Sequence, residues 1–291
     1  MVVTWPSEDR GGDVLECVVN VSEGRDAAIV ASLARAAGNS LLDVHRDADH
    51  HRSVLTLAGQ DEAVQAAVRD VARAIVGLLD LRAHEGAHPR FGAMDVVPWV
   101  ALEGWPLRDV DADGGEWARR ARDSFAVWAA SDLGLPVFLY GPERSLPQVR
   151  REAWHSLPPD LGPARPHKTA GSVAVGCRPL MVAYNLWLAE PDADKAAAIA
   201  SAIRSPLVRA LAFRLGGQVQ VSCNLLRPLL VGPAGVWDEV WRLSTITRAE
   251  LVGLAPESVL LVTPQDRWVE LDLAPDRTIE ARLTRRLRLH E

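Results

Sequence analysis

The sequence predicts an α/β (α+β) protein of two similar subdomains, each a mixed β-sheet covered by helices on one face. Three observations carry this. Runs rich in β-branched residues alternate with stretches whose apolar residues recur at helical spacing. The alternation halts in a proline- and glycine-rich stretch over 156–176 and then resumes. Finally, 291 residues with 48% hydrophobic content can bury two cores of ordinary size. The halves repeat in pattern and not in sequence, so similar architecture is expected without duplication. The expected boundaries are a disordered extension over 1–13, an N-terminal unit over 14–177, a C-terminal unit over 178–265 and a C-terminal arm over 266–291.

Taken in order, residues 14–20 form a β-branched strand that runs into Ser22-Glu23-Gly24-Arg25-Asp26 and then a helical pattern over 27–37. Such a turn exposes backbone N–H groups at a helix N-terminus, a place for a carboxylate, with Asp26 as cap. A plain capped helix suits the same residues. Strands over 40–44 and 51–58 make a hairpin with a polar tip, and 61–81 follows as a long amphipathic helix with an acidic start. Residues 91–102 read as a strand that Pro98 confines to an edge or a bulge. A turn over 111–115, a helix over 116–133 and an apolar strand over 135–140 complete the first unit. Beyond 156–176, which composition leaves open as linker or binding loop, come strands over 180–188, 208–215, 218–225 and 250–254. Helices over 192–203 and 235–243 alternate with them, and the arginine- and leucine-rich end from 267 forms a helix or a peripheral arm.

The formal charge of −6 and the lack of basic blocks exclude nucleic acid as the main partner. Cys17, Cys177 and Cys223 stand far apart, which suggests neither a disulfide framework nor a thiolate zinc site and fits a reducing cytoplasm. The first thirteen residues lack the basic and apolar regions of a secretory signal, and no apolar run is long enough to span a bilayer. A cytoplasmic protein without membrane partners is expected.

Ionisable residues concentrate in His84-Glu85-Gly86-Ala87-His88-Pro89-Arg90-Phe91-Gly92-Ala93-Met94-Asp95. His88 precedes a proline, which pushes its backbone into an extended form and fixes the imidazole, while Arg90 adds a permanent cation. A held histidine beside an arginine suits proton transfer on an anionic substrate. The run "EGAHPRFGAMDVVPWV" resembles the signature of the glutamate formimidoyltransferase family, which uses tetrahydrofolate in histidine breakdown, and His88 falls on the family's catalytic acid/base. "ECVVNVSEGR" resembles that family's opening strand and S-E-G turn, which makes Asn20, Ser22 and Glu23 site candidates. The pattern G-P…G…G-x-R resembles its folate-contacting loop. That likeness assigns Gly162, Pro163, Ala164, Arg165, Pro166, His167, Lys168, Thr169, Ala170 and Gly171 to the pterin.

The resemblance covers roughly residues 15–256 and implies two halves whose sheets face across a ligand groove, a homodimer, and tetrahydrofolate as co-substrate with no metal. The donor and the folate tail are both dicarboxylates, so Arg52, Arg90 and Arg178 are candidate carboxylate binders. Asp43 is a candidate to orient His88 or hold the donor's nitrogens, and Gly92 and Asp95 belong to the matched run, Gly92 for backbone room. Two other readings stay open. Five of the eight histidines lie between residues 45 and 88, beside Asp43, Asp47 and Asp49, which invites a metal-dependent hydrolase. A divergent folate-binding relative, or a one-carbon transferase with another donor, fits the departures from the family pattern. These are His51 where D-H-N-R is usual, Pro166-His167-Lys168-Thr169 in the folate-type loop, and the loss of a glycine-rich basic segment before the strand at Val208.

Overall fold

A computed structural model describes residues 14–85, 90–104, 107–109 and 115–288. The expected extension over 1–13, most of the turn over 111–115, and His88 with its neighbours Gly86 and Pro89 lie outside the described residues.

The first sheet has seven strands. Strand β1 (Val14–Val21) sits at its centre between β3 (Arg52–Gln60) and β4 (Met94–Glu103), antiparallel to both. Outside β3 lies β2 (Leu41–Asp47). On the other side β7 (Val173–Cys177) runs parallel to β4 and to β6 (Val137–Tyr140), and the short β5 (Arg108–Asp109) pairs with the end of β4. Alternation along β1 decides what faces what. Leu15, Cys17, Val19 and Val21 are fully buried beneath helices α1 (Ala27–Ala37), α2 (Asp61–Leu78) and α3 (Gly115–Asp132). The intervening residues Val14, Glu16 and Asn20 therefore point the other way, toward the second unit.

Two expectations need correction. Pro98 lies in an interior strand and at no edge, because the β1–β4 ladder pairs Cys17 with Trp99 and Asn20 with Val96 and leaves open the pair at Val18, where proline has no N–H to give. The proline-rich stretch over 156–176 is neither wholly linker nor wholly loop, for its last residues become β7, buried along its whole length. Sequence reading also passed over α4 (Leu146–Glu152), which covers the second face of the sheet with Phe138, Tyr140 and Ala174.

The second unit follows the expected order of strand and helix: β8 (Val182–Leu188), α5 (Ala193–Ala202), β9 (Val208–Leu215), β10 (Gln218–Leu225), α6 (Pro233–Trp241) and β11 (Ile246–Val252). Its sheet, β11-β8-β10-β9, is antiparallel throughout and not mixed, since a hairpin joins β9 to β10 directly. Helix α7 (Glu257–Leu261) precedes a segment of short turns whose Leu271 and Leu273 enter the second core. Helix α8 (Ile279–Arg288), in the stretch expected as an arm, places Ile279 and Leu283 against Leu42, Val100 and Leu102 of the first sheet. Glu280 accepts the backbone N–H groups of Leu107 and Glu257, each at 2.8 Å, and so ties the two units together.

Glu16 is buried in this layer with Oε2 unpartnered among the described residues. Burial pushes its pKa from the ordinary 4.5 up to about 7, with Arg178 pulling against and Glu280 adding to the rise. An acid of this kind binds more protons folded than unfolded, so stability falls as pH rises from 4.5 to about 7 and is level beyond, a loss of about 3 kcal/mol. Glu16→Gln is expected to raise the melting temperature at about pH 8 and to give little at about pH 5. Thermal melts at the two pH values check this, and an equal shift at both contradicts it.

Candidate functional site

The candidate site lies at one end of the first sheet, where β1 ends, β4 and β7 begin and the β2–β3 hairpin turns. The Ser22-Glu23-Gly24 turn anchors it. Ser22 donates its backbone N–H to Ala93 O at 2.8 Å and its hydroxyl to Gly92 O at 2.8 Å. Glu23 accepts the N–H groups of Arg25 and Asp26 at 2.7 and 2.9 Å, while Asp26 caps α1 through Ala28 and Ile29. The helix N-terminus expected to receive a ligand carboxylate is thus filled by the chain's own carboxylates.

Close backbone approach assembles the rest. A Cβ on Gly24 would stand 2.0 Å from Asp47 O and one on Gly92 1.9 Å from Ser172 O, so only glycine lets these segments meet. Gly92 forms a bridge with Gly171, and Ala93 donates to Ala170 O at 2.9 Å. Gly171 and Ala170 therefore join the site. Gly162 does not, being fixed at the start of β6 near Leu135, and Pro163 to Pro166 and Lys168 are exposed. His167 folds this stretch onto itself, its Nδ1 accepting from Ala170 N at 3.1 Å.

On the face turned toward the second unit, Asn20 Oδ1 accepts from the buried guanidinium of Arg52. A register shift between β1 and β4 leaves Asp95 as the extra residue opposite Asn20 and Val21. Such a bulge re-aims a side chain. Asp95, 2% exposed, takes the Phe91 N–H at 2.6 Å and pairs with Arg150 of α4 at 2.7 Å. Burial lowers the pKa of Arg52, with Asp95 opposing and Arg150 reinforcing the effect. Facing them, Glu250 Oε2 of β11 accepts from Trp187 Nε1 at 3.0 Å, Asn185 at 3.2 Å and Gln220 at 3.5 Å, and its other oxygen lies 3.6 Å from His45. His50 at the hairpin tip reaches across to Gln220 Oε1 at 3.0 Å.

At the outer wall, the His51 and His84 rings stack with centroids 4.0 Å apart, and Arg90 Nη1 meets His84 Nδ1. The two rings border a cleft of about 190 Å³ that also contacts Ser22, Glu23, Ile29 and Asp80. Burial lowers the pKa of both imidazoles. Two candidates stand elsewhere. Asp43 faces Arg282 of α8 at 3.9 Å, and Arg178 follows β7, donating to Pro179 O, with its charge felt by Glu16 and Tyr140. The clustered histidines part company: His45 turns to Glu250, His50 to Gln220 and His51 to Gly24, and no three potential ligands converge among the described residues.

The family model for the formiminotransferase domain, N-terminal subdomain, matches residues 14–178. The chain belongs to the formiminotransferase family, a family of transferases. It is 35% identical over 210 residues to glutamate formimidoyltransferase of Streptococcus pyogenes serotype M1, covering 66% of this chain and 68% of that one. Against the Thermoplasma acidophilum glutamate formimidoyltransferase it is 34% identical over 285 residues, covering 85% and 90%. Formimidoyltransferase-cyclodeaminase of Sus scrofa is 32% identical over 285 residues, and there the chain spans about half (51%) of the relative's length.

Within this formiminotransferase fold, sequence reasoning missed Arg150, Gln220 and Glu250, and it read His45 and His50 only as possible metal ligands. Their partners lie up to 170 positions away, and only the oddity of buried polar residues in apolar strands could have marked Gln220 and Asn185. Asp95→Asn removes the buried carboxylate that pairs with Arg150 and offsets the burial of Arg52. It is expected to lower the free energy of unfolding by about 3 kcal/mol, as breaking a buried pair does. Urea denaturation measures it, and a loss below about 1 kcal/mol, the worth of an ordinary hydrogen bond, removes the pair from the account.

Proposed function

We propose that this chain transfers a formimidoyl group from N-formimidoyl-L-glutamate to N5 of tetrahydrofolate, with His88 as general acid and base. The supporting observation is family membership joined to the G-x-H-P-R-x-G-A-x-D run, whose described parts sit at the convergence of the S-E-G turn, the hairpin tip and the start of β4. The described residues on either side of His88, His84 and Arg90, touch each other.

In the reaction a bond forms between N5 and the amidine carbon, and the bond from that carbon to the glutamate nitrogen breaks. N5 loses a proton and the departing nitrogen gains one. A single imidazole with accessible protonation states can take the first and give the second. Arg90 and Arg52 suit the donor's carboxylates by their planar forks. Arg178 neighbours Glu16, about 13 Å along β1 from Asn20 at the usual rise per strand residue. An extended folate with its pterin toward Ala170 and Gly171 and its glutamate tail toward Arg178 is compatible with that separation.

One observation favours a different donor within the same class. The connection from α5 to β9 is a tight turn in which Ser205 Oγ accepts from Leu207 and Val208 at 3.1 Å, leaving no place for the basic glycine-rich segment the resemblance leads one to expect. His88→Ala is expected to lower kcat by a factor on the order of 10²–10⁴ while calorimetric binding of tetrahydrofolate is kept. Full activity of the variant removes His88 from the reaction. Folate binding by a folded wild type, without product from formimidoyl-glutamate, points to the other donor.

A further inference from the structure

We infer that His51 is a positioning residue: through the face of His84 it holds the guanidinium of Arg90, and it does so only while both rings are uncharged. This deepens the transfer reading above and rests on it for the role of Arg90.

His51 stands at φ 51° in the hairpin tip, a conformation that costs energy for a non-glycine residue and persists where its surroundings enforce it. Three contacts do so. Gly24 donates its N–H to His51 Nδ1 at 3.1 Å, Glu23 Oε1 lies 3.5 Å from the same nitrogen, and His84 stacks on the ring at an interplanar angle of 21°. Beyond His84, Arg90 Nη1 meets the ring's Nδ1 and lies 3.4 Å from the His84 carbonyl oxygen.

These partners assign the tautomers. A guanidinium and a backbone N–H can only donate, so Nδ1 of each ring is bare and each proton sits on Nε2. Both imidazoles are therefore neutral. A second proton on His84 would have to enter at Nδ1, directly against Arg90. One on His51 would displace the Gly24 N–H, with Glu23 the acceptor beside it. Among the described residues the charged groups around the pair are Glu23 and Arg25 from the turn before α1, Asp80 across the cleft, Arg90 itself, and Asp47 on the same hairpin. Asp47 Oδ1 is engaged by the Asp49 and His50 N–H groups at 2.8 Å. Burial holds both rings below the usual imidazole range, helped at His51 by Arg25 and Arg90 and at His84 by His51 and Arg90, in agreement with the tautomers.

Two variants separate positioning from packing. His51→Asn suits the left-handed backbone and removes the stacked ring, whereas His84→Phe keeps a stack and removes the acceptor for Arg90. Both are expected to melt close to wild type. With N-formimidoyl-L-glutamate and tetrahydrofolate, each should raise the donor KM about tenfold at about pH 7.5 and leave kcat within about twofold. His51→Asn should also remove one proton from the acid limb of kcat/KM between about pH 5.5 and about pH 8.5. In the same variant, NMR titration of the His84 ring should move upward. A donor KM equal to wild type at every pH, with the His84 titration unmoved, overturns the inference. If the His84 titration moves but wild type forms no transfer product, the ring pairing stands and the transfer reading alone fails.

Discussion

The arrangement depends on two places where the backbone of one segment presses on another with no side chain between. At Gly24 the turn after β1 lies on the hairpin backbone at Asp47 and Arg52; at Gly92 the approach to β4 lies on the strand start at Ala170 and Ser172. Any Cβ would meet backbone atoms at these points, and backbone has no rotamer with which to give way. Four segments distant in sequence are thereby brought within hydrogen-bond reach of one another. Ser22, Glu23 and Ser53 then lock the contact, Ser53 Oγ donating to Glu23 O at 2.5 Å. Catalytic geometry demands such stiffness, since small misplacements of reacting groups are costly.

Once the segments meet, a single register irregularity sorts the charges. The extra residue in β4 turns Asp95 from the helix-covered face to the face shared by the two units, where Arg52 and Arg150 lie. The carboxylate pairs with Arg150 and offsets the burial of Arg52, which it keeps charged. A buried arginine without such a partner would be expensive. Strand alternation puts Asn20 and Glu16 on the same face, so the polar residues of β1 line the layer between the sheets while its apolar ones fill the helical core.

Chain-local chemistry was legible in the sequence. The Asp26 cap, the amphipathic stripe of α2 and the polar hairpin tip each follow from residues a few positions apart, and each is present. Among the described residues the S-E-G turn meets the strand approach through Ser22, which bonds Gly92 and Ala93. Long-range pairing was not legible. Nothing local in Pro98 says that its missing N–H falls at an open pair of an interior ladder, and nothing in a glycine-rich stretch says that its last four residues enter a parallel strand. Arg150 looks like one more helix arginine until α4 is set against Asp95. The free N–H groups imagined at α1 were already satisfied by Glu23, two and three residues away from the donors, a local pairing that a closer reading of the turn could have found.

The layer between the units raises a last physical question, because an apolar contact would join two sheets more cheaply than Asn185, Gln220, Glu250, His45 and His50 do. Burying such groups contributes little net stability even when each is paired. What the pairing supplies is direction. Apolar faces can slide over one another, whereas His50 reaching Gln220, and His45 lying 3.6 Å from a Glu250 held by Trp187, Asn185 and Gln220 of its own sheet, give the contact a direction. The hairpin tip that carries His50 also carries His51 and, at its base, Arg52. A shift of the second sheet would therefore be felt at Gly24 and Asn20 in the first. On this argument the second unit serves the site less by contributing reactive groups than by holding the hairpin at the angle that the glycine contacts require.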